Sequence, residues 1–487
     1  MQELTREHIQ QIYDIGPEAV IRLIEKLFEA IQQNEHLVDQ VASLQARVNE
    51  LEKQIAQNSR NSHKPPSSDG LKKKVRSLRQ KSTNKTGGQK GHTGHTLKRV
   101  ATPDKVIRCT IDNCKTCGKS LADIAVIDME KRQVFDIPPV SIEVTEYQAE
   151  IKTCPQCHTT HKASFPKTVT QPVQYGTRMK AQAIYLMNQH LLPYQRTAEI
   201  LFDFYGHQIS TGTLFNMNYD CYNALKQPVE SIKEHVIASD VVHFDETGLR
   251  ADKKTTWVHS ASTSLWSYYT FHHKRGSDAM DQANILPQFK GIAVHDHWKP
   301  YFKYSCRHAL CHAHHLRELI FFFEHDKQKW AKQMIELFLE IKHSIEKAQS
   351  NGAHRLARST IKDFQKRYHK IIDHGVKMNP HHDPKRKKKK RTKAQNLLHR
   401  LTLFTEQTLA FMYDFRIPFD NNLAERDIRM IKVQQKISGC FRSDQGAKIF
   451  CRIRSYLASA KKQGYNMLNA VQMALEYKNI FQTCRAE

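Results

Sequence analysis

Apolar side chains recur in alternating steps of three and four from Val20 to Ile55. No glycine or proline follows Pro17 in the first 57 residues. This is the period of a heptad seam on one continuous helix, and it leaves the segment few other folds. With Asn34, Val41, Val48 and Ile55 at a, Leu37, Leu44 and Leu51 fall at d. β-Branched a residues with leucine at d favour a parallel two-stranded coil, and one buried Asn at a fixes the register at some cost in stability. Residues 1–57 are therefore expected to form a coiled-coil helix that makes a homodimer. The competing reading is a helix whose stripe packs on its own chain.

Behind the helix the composition changes. Residues 58–105 hold 13 Lys and Arg against two Asp, and their large apolar residues are Leu71, Val75, Leu78, Leu97 and Val100. Such a segment cannot build a core and is expected to be extended until it meets a partner. A second basic run spans 385–393. These two stretches carry most of the net charge of +26. Charge concentrated in this way suits a polyanion, most often nucleic acid. Lys72, Lys73, Lys74 and Arg76 are candidate phosphate contacts, and a solvated linker is the plain alternative. No apolar run approaches the roughly 18 residues of a membrane span. The N-terminus lacks the apolar stretch of a secretory signal, so a cytoplasmic protein is expected. The 11 cysteines then point to thiols or metal ligands rather than disulfides.

Cys114-x-x-Cys117 and Cys154-x-x-Cys157 have the spacing of two metal knuckles, and four thiolates are a usual structural zinc set. Gln133–Ile137 and Ile142–Tyr147 read as strands between them, which gives a zinc-ribbon-like domain over 106–168. Cys109 and His158 are substitute ligands. A redox Cys-x-x-Cys would ordinarily stand alone. Residues 169–235 read as helical. One helix runs from Gln195 to Tyr205 and stops at Gly206; Ser210 then caps a second helix that starts at Thr211. Helix, glycine turn and capped second helix is the layout of a helix-turn-helix.

From residue 238 the period shortens. Val241–Phe244 is an apolar run closed by Asp245. Thr256–Ala261 and Trp266–Phe271 read as a hairpin, and Ser277–Ala283 as a helix. Gly291–His295 is another strand, closed by Asp296. If the first and last strands are neighbours, both carboxylates face one cleft. Asp420–Arg429 starts a helix with Asn421 or Asn422 as cap, and Glu425 adds a third acid. Glu246, Asp420 and Asp427 are local competitors. Three carboxylates suit Mg²⁺ or Mn²⁺, which prefer hard oxygen ligands. Two such ions can activate water, stabilise a leaving oxygen and shield phosphate charge.

Several long motifs resemble the transposases of the insertion-sequence-66 family. They are residues 241–249, 294–302 and 417–442, Lys64-Pro-Pro-Ser-Ser-Asp69, Gly87-Gly-Gln-Lys-Gly-His92, the four-cysteine segment and 308–318. The match follows the family's order over nearly the whole chain. It implies an RNase H-like α/β catalytic core with an Asp-Asp-Glu triad at Asp245, Asp296 and Glu425. The gaps are 51 and 129 residues, the second lengthened by a helical insertion at about 313–415. The family's Cys-x-x-His falls on Cys311 and His314, read as active-site support or as core packing. His158 departs from the glycine that often follows the second knuckle cysteine.

The fold class expected is thus α+β and multidomain. A coiled coil (1–57) leads to a basic linker (58–105), the zinc ribbon (106–168) and the helix-turn-helix (169–235). The catalytic domain (236–436) and a C-terminal helical region (437–487) complete it. The resemblance implies a bacterial, nucleoid-associated enzyme. It would bind the terminal inverted repeats of its element, free a 3′-OH at each end and direct that hydroxyl onto target DNA. Accessory proteins of the element are further partners. Arg426, Arg429 and Lys432 lie near Glu425 on helix faces that can meet phosphates; the plain alternative is a solvated face. His243, His295 and His297 flank the acids, to tune them or to pack. Two rival readings are a non-catalytic repressor and a nuclease that cuts without joining.

Overall fold

The computed structural model describes residues 5–62, 91, 96–380 and 391–481. Lys72, Lys73, Lys74, Arg76 and most of the 385–393 run lie outside them. The chain divides into two compact units, Met1–Val75 with Tyr219–Glu487, and Arg76–Asn218.

At the start of the first unit, α1 (Arg6–Ile15) ends at Gly16 and α2 (Pro17–Ala56) runs unbroken for 40 residues. Pro17 sits at the first helical position, where its missing N–H would have had no partner anyway. The whole heptad run is therefore helical. Its apolar stripe does not pack on its own chain, since Leu37, Val41, Leu44, Val48, Leu51 and Ile55 are all exposed. The helix end is anchored by ion pairs from Lys53 to Asp326 (3.3 Å) and from Arg60 to Glu324 (2.6 Å).

The second unit holds both cysteine knuckles and a helical part. The strands expected at Gln133–Ile137 and Ile142–Tyr147 are not formed. Alternating apolar residues make a strand only where another edge offers hydrogen bonds. Here the Gln133 side-chain amide pairs instead with both backbone groups of Val100, at 2.8 Å each. The two-stranded sheet, β1 (Ile151–Thr153) and β2 (Thr160–Lys162), brackets the second knuckle. Next come α3 (Thr177–Asn188), α4 (Tyr194–Tyr205) and α5 (Thr211–Ala224), whose first eight residues belong to this unit. Gly206 ends α4 with φ 64°, a left-handed conformation that glycine adopts without a Cβ penalty. Ser210 Oγ accepts the Thr213 N–H at 3.1 Å, the expected cap. Buried Asn188 donates to Asn218 at 2.7 Å, which ties α3 to α5.

The rest of the first unit is built on a five-stranded sheet of order β5-β4-β3-β6-β7. After α6 (Lys226–Ile237), β3 (Val241–Ala251) pairs antiparallel with β4 (Lys254–Ser262), and β4 with β5 (Ser267–His272). The β3–β4 turn is two residues, Asp252 and Lys253, both with positive φ as a twist-matched hairpin turn requires. Past α7 (Ser277–Ala283), β6 (Ile292–His295) pairs parallel with β3, and β7 (Arg307–Leu310) parallel with β6. The strand β7 was not legible in the sequence, because four residues with two exposed or half-exposed polar ones carry no clear alternation.

From β7 the chain enters α8 (His312–Glu324), α9 (Lys329–Ser350), α10 (Arg358–Met378), α11 (Lys393–Leu403) and two short turns of helix, α12 (Thr405–Thr408) and α13 (Ala410–Tyr413). Their core, centred on Trp330, Phe338, Tyr368 and Leu401, is continuous with Ile292, Val294 and Ala309 of the sheet. The long insertion is thus packed onto the sheet beside β6 and β7. Three helices follow, α14 (Asn422–Ser438), α15 (Asp444–Lys462) and α16 (Met467–Leu475).

The outer edge of β5 is closed by α15. Ser455 and Ser459 hydroxyls accept the Tyr269 and Ser267 N–H groups at 2.9 and 3.0 Å. Four helical residues rise about 6 Å and two strand residues about 6.6 Å, so one helix face can follow every second amide of an edge strand. The arrangement removes an edge open to strand pairing.

Candidate active site

The parallel pairing of β3 and β6 aligns Val241 with Ile292, Val242 with Ala293 and His243 with Val294. Asp245 and Asp296 each stand two residues beyond the last pair. The same register therefore sets the two acids side by side where the strands diverge. Asp245 Oδ1 accepts the Glu246 N–H at 2.9 Å, and Asp296 Oδ1 accepts the Trp298 N–H at 2.8 Å. Burial pushes the Asp245 carboxyl well above its usual range, and the negative charges of Glu246, Asp296 and Glu425 push it the same way. A buried carboxyl that feels three other carboxylates carries a repulsion that a cation would relieve.

Glu425 comes from the first turn of α14, and Asn421 carries the helix to it. The sequence suggested Asn421 as a capping side chain, but its amide makes no cap bond. It reaches the sheet instead: Nδ2 donates to the Phe244 carbonyl at 2.8 Å, and Oδ1 accepts from His243 Nδ1 at 2.8 Å. Its backbone N–H donates to Cys311 Sγ at 3.2 Å. Asp420 does the local work, accepting the Asn422 N–H at 3.1 Å. One Glu425 oxygen lies 3.9 Å from Arg317, while Oε1 is buried without a hydrogen-bond partner. A carboxylate oxygen in that condition is costly unless a cation meets it, so the donor set fits hard divalent ions.

The competing acids have other partners. Asp427 accepts from Ser262 and Ser267 at 2.7 Å each and pairs with Lys462 at 2.6 Å, which joins α14 to the β4–β5 hairpin and α15. Glu246, its side chain only 2% exposed, accepts Arg275 through Nε and Nη2 at 3.0 and 2.6 Å. It also accepts the Tyr301 hydroxyl at 2.6 Å. Arg275 lies 4.2 Å from the Trp298 ring centre and 5.0 Å from that of Trp257. Burial and the nearby Asp296 charge still raise the Glu246 carboxyl. Sequence reading missed this Arg275–Glu246–Tyr301 group, because 29 and 55 residues of separation leave no periodic signal.

Burial lowers all three flanking histidines, and each has a ring contact of its own. Burial pushes His295 down to about 3; its ring bonds His308 at 2.9 Å and contacts the Asp296 carbonyl. His297 is likewise pushed down to about 3 and pairs with His315 at 2.9 Å. His243 is lowered by burial and spends its Nδ1 on Asn421. Cys311 is the residue before α8, and burial drives its thiol up to about 12. With His314 and Glu425 it forms a tight group. Arg426, Arg429 and Lys432 are exposed along α14. Lys432 Nζ donates to the Gly248 carbonyl, which leaves Arg426 and Arg429 as the more open cations of that face.

The knuckles of the second unit are near copies of each other. Gly118 N–H bonds the Cys114 carbonyl and His158 N–H the Cys154 carbonyl, both at 2.9 Å. Cys114 N–H bonds Lys119, and Cys154 N–H bonds Thr159, at 2.8 and 3.0 Å. Gly118 and His158 share a positive φ, 76° and 55°. His158 thus takes the conformation that the usual glycine supplies. Hydrogen bonding within each turn lowers the Cys114 and Cys157 thiols, as suits a metal-binding thiolate. The four sulfurs do not come together as one group within 4.8 Å among the described residues. Cys109 is exposed and free.

The model of the Transposase IS66 family matches residues 172–449, more than half of the chain and all three acids. The zinc-finger binding domain of transposase IS66 matches residues 112–158, both knuckles included. A family of unknown function matches residues 16–98. No curated protein matches the chain. The chain belongs to the IS66 family of transposases and carries that family's zinc-finger domain. No helix among the described residues is long and apolar enough to cross a membrane.

Proposed function

We propose that this chain is a DNA transposase that binds the terminal inverted repeats of its own element, cleaves the element ends and joins them to target DNA. The observation that carries the reading is the register of β3 and β6, which leaves Asp245 and Asp296 each two residues beyond the last pair, while the charges of Asp296 and Glu425 reach Asp245. The strand order, with three antiparallel strands and two parallel additions, is what an RNase H-like core would have.

Asp245, Asp296 and Glu425 would hold two magnesium ions, or manganese in their place. When bound, such ions activate the attacking oxygen, stabilise the leaving one and neutralise phosphate charge. Asp245 and Asp296 would supply carboxylates from the neighbouring inner strands β3 and β6, and Glu425 would complete the set from α14. Asn421 fixes the distance between helix and sheet. Arg275, Tyr301 and Glu246 brace the wall on which Trp298 presents its N–H to Asp296. Water attack frees a 3′-OH; the same carboxylates then serve when that hydroxyl attacks target DNA. Both steps are phosphoryl transfers, so no covalent link to the protein is needed.

DNA is held by several parts. The α4–α5 pair acts as a helix-turn-helix on the repeat, the two knuckles close on one structural zinc through Cys114, Cys117, Cys154 and Cys157, and Lys72, Lys73, Lys74 and Arg76 follow phosphates. Arg426, Arg429 and Lys432 guide the scissile strand past Glu425. The exposed seam of α2 pairs with a second copy, which brings two element ends into one complex.

The test is end cleavage on a labelled repeat with Asp245→Asn, Asp296→Asn and Glu425→Gln. Each variant should lose cleavage and keep repeat binding. Full cleavage by any of the three removes that residue from the mechanism.

A further inference from the structure

Three side chains beside the acids have a different metal chemistry. Cys311 Sγ, a ring nitrogen of His314 and a carboxylate oxygen of Glu425 all lie within 4.8 Å of one another, and no other group of three or more such ligands does so among the described residues. The local fold explains the convergence. Cys311 is the N-cap of α8, and a residue three positions further on stands over the same face of the first turn. Glu425 comes from the first turn of α14. The two helix starts are locked together by the Asn421 N–H on Cys311 Sγ, 3.2 Å long. Oε1 of Glu425 is buried and has no hydrogen-bond partner, so a cation is wanted at this carboxylate.

The donors decide which cation. Sulfur and imidazole are poor ligands for magnesium and good ones for zinc, which accepts S, N and O together in a tetrahedron. Bonds of roughly 2.0–2.3 Å bring tetrahedral donors to somewhat under 4 Å apart, so closing on zinc asks for side-chain shifts on the order of 1 Å. Three protein ligands leave a fourth position open. The set differs in kind from the four thiols of the knuckles.

We propose that Cys311, His314 and Glu425 bind a zinc-class divalent cation at a site that shares Glu425 with the magnesium centre. The sharing rests on the function proposed above; the binding does not. A zinc-loaded site withdraws Glu425 from magnesium, so the same carboxylate serves one metal or the other.

Zinc bound to the full-length chain is counted after dialysis against buffered zinc, for wild type and for Cys311→Ser, His314→Ala and Glu425→Gln. Each variant should hold one equivalent fewer than wild type. An equal count in wild type and any of the three overturns the site. Serine can still accept the Asn421 N–H, but Cys311 is buried, so a measurement without that substitution is added. Cobalt is bound to a chain whose four knuckle cysteines, Cys114, Cys117, Cys154 and Cys157, are replaced by serine and whose residue 311 is intact. A thiolate-to-cobalt absorption band is expected there, and its absence likewise overturns the proposal. Neither readout involves DNA, so a failed strand-transfer assay leaves both results standing, and failure of this site leaves the transposase reading standing.

Discussion

Asn421 Nδ2 donates to the carbonyl of Phe244 at 2.8 Å, so the residue that precedes α14 is bonded directly to the residue that precedes Asp245. The side-chain oxygen of the same amide accepts from His243. A single buried side chain thus spans the 177 residues between the first acid's strand and the third acid's helix.

Asn421→Ala leaves the His243 ring nitrogen and the Phe244 carbonyl without their partner. Each buried group so stranded costs about 1–3 kcal/mol. Denaturant unfolding should show that loss. End cleavage should fall by on the order of 100-fold, the scale expected when reacting groups are misplaced by about 1 Å. A variant with unchanged stability and unchanged cleavage would show that Asn421 does not set the spacing.

Gly291 tests the spacing from the other side. A Cβ there would stand 2.5 Å from the Asp240 carbonyl and 2.7 Å from the Ser239 carbonyl, both backbone atoms that cannot swing aside. Gly291→Ala must push β6 away from the end of β3, and Asp296 with it. The expected outcome is a loss of about 1–3 kcal/mol and a higher magnesium requirement for cleavage. Wild-type magnesium dependence in a folded Gly291→Ala chain contradicts this.

Asp245 destabilises the metal-free chain. The Asp245 carboxyl is raised in the folded state, so its contribution favours folding below the usual carboxyl pKa and is lost as pH rises through the folded value. Above the usual carboxyl pKa the group is therefore a cost to the folded chain. Asp245→Asn should raise the melting temperature without metal. Magnesium should stabilise wild type more than the variant. Calorimetry in chelator and in magnesium checks both signs.

Much of this was readable beforehand. The β4–β5 hairpin, the heptad helix and the Gly206–Ser210 turn announce themselves through local period or cap chemistry, and so does Asp296 behind its strand. The strand expected to close at Asp245 instead runs on to Ala251, because pairing with β4 continues past the acid, so Asp245 lies within β3. What escaped was non-local. Arg275 and Tyr301 meet Glu246 only because β5, α7 and β6 fold back, and nothing near residue 275 in sequence says so. Asn421, one of the two caps expected, does hold the cap position, but its amide makes no cap bond because its partners lie more than 170 positions upstream. The strands expected between the knuckles failed for the same reason, since a strand depends on an edge elsewhere and Gln133 had met the Val100 backbone through its side chain.

Acid should unfold the chain early. Burial holds His295 and His312 at about 3, far below the ordinary value near 6.5. Between those limits the unfolded chain takes up protons that the folded chain refuses, so stability is lost as pH falls below about 6.5. Two such histidines cost up to about 2.7 kcal/mol per pH unit together. The melting temperature should drop steadily from pH 7 to pH 5, and a flat profile over that range contradicts the neutral packing assigned to these rings.

The central claim is that Asp245, Asp296 and Glu425 form one metal-dependent centre for joining DNA. Strand transfer of pre-cut element ends into a target plasmid, with magnesium, measures it most directly. Wild type should join the ends, and Asp245→Asn, Asp296→Asn and Glu425→Gln should each bind them and join none. Binding without joining by wild type would mark a repressor, hydrolysis without joining a nuclease, and either result contradicts the account.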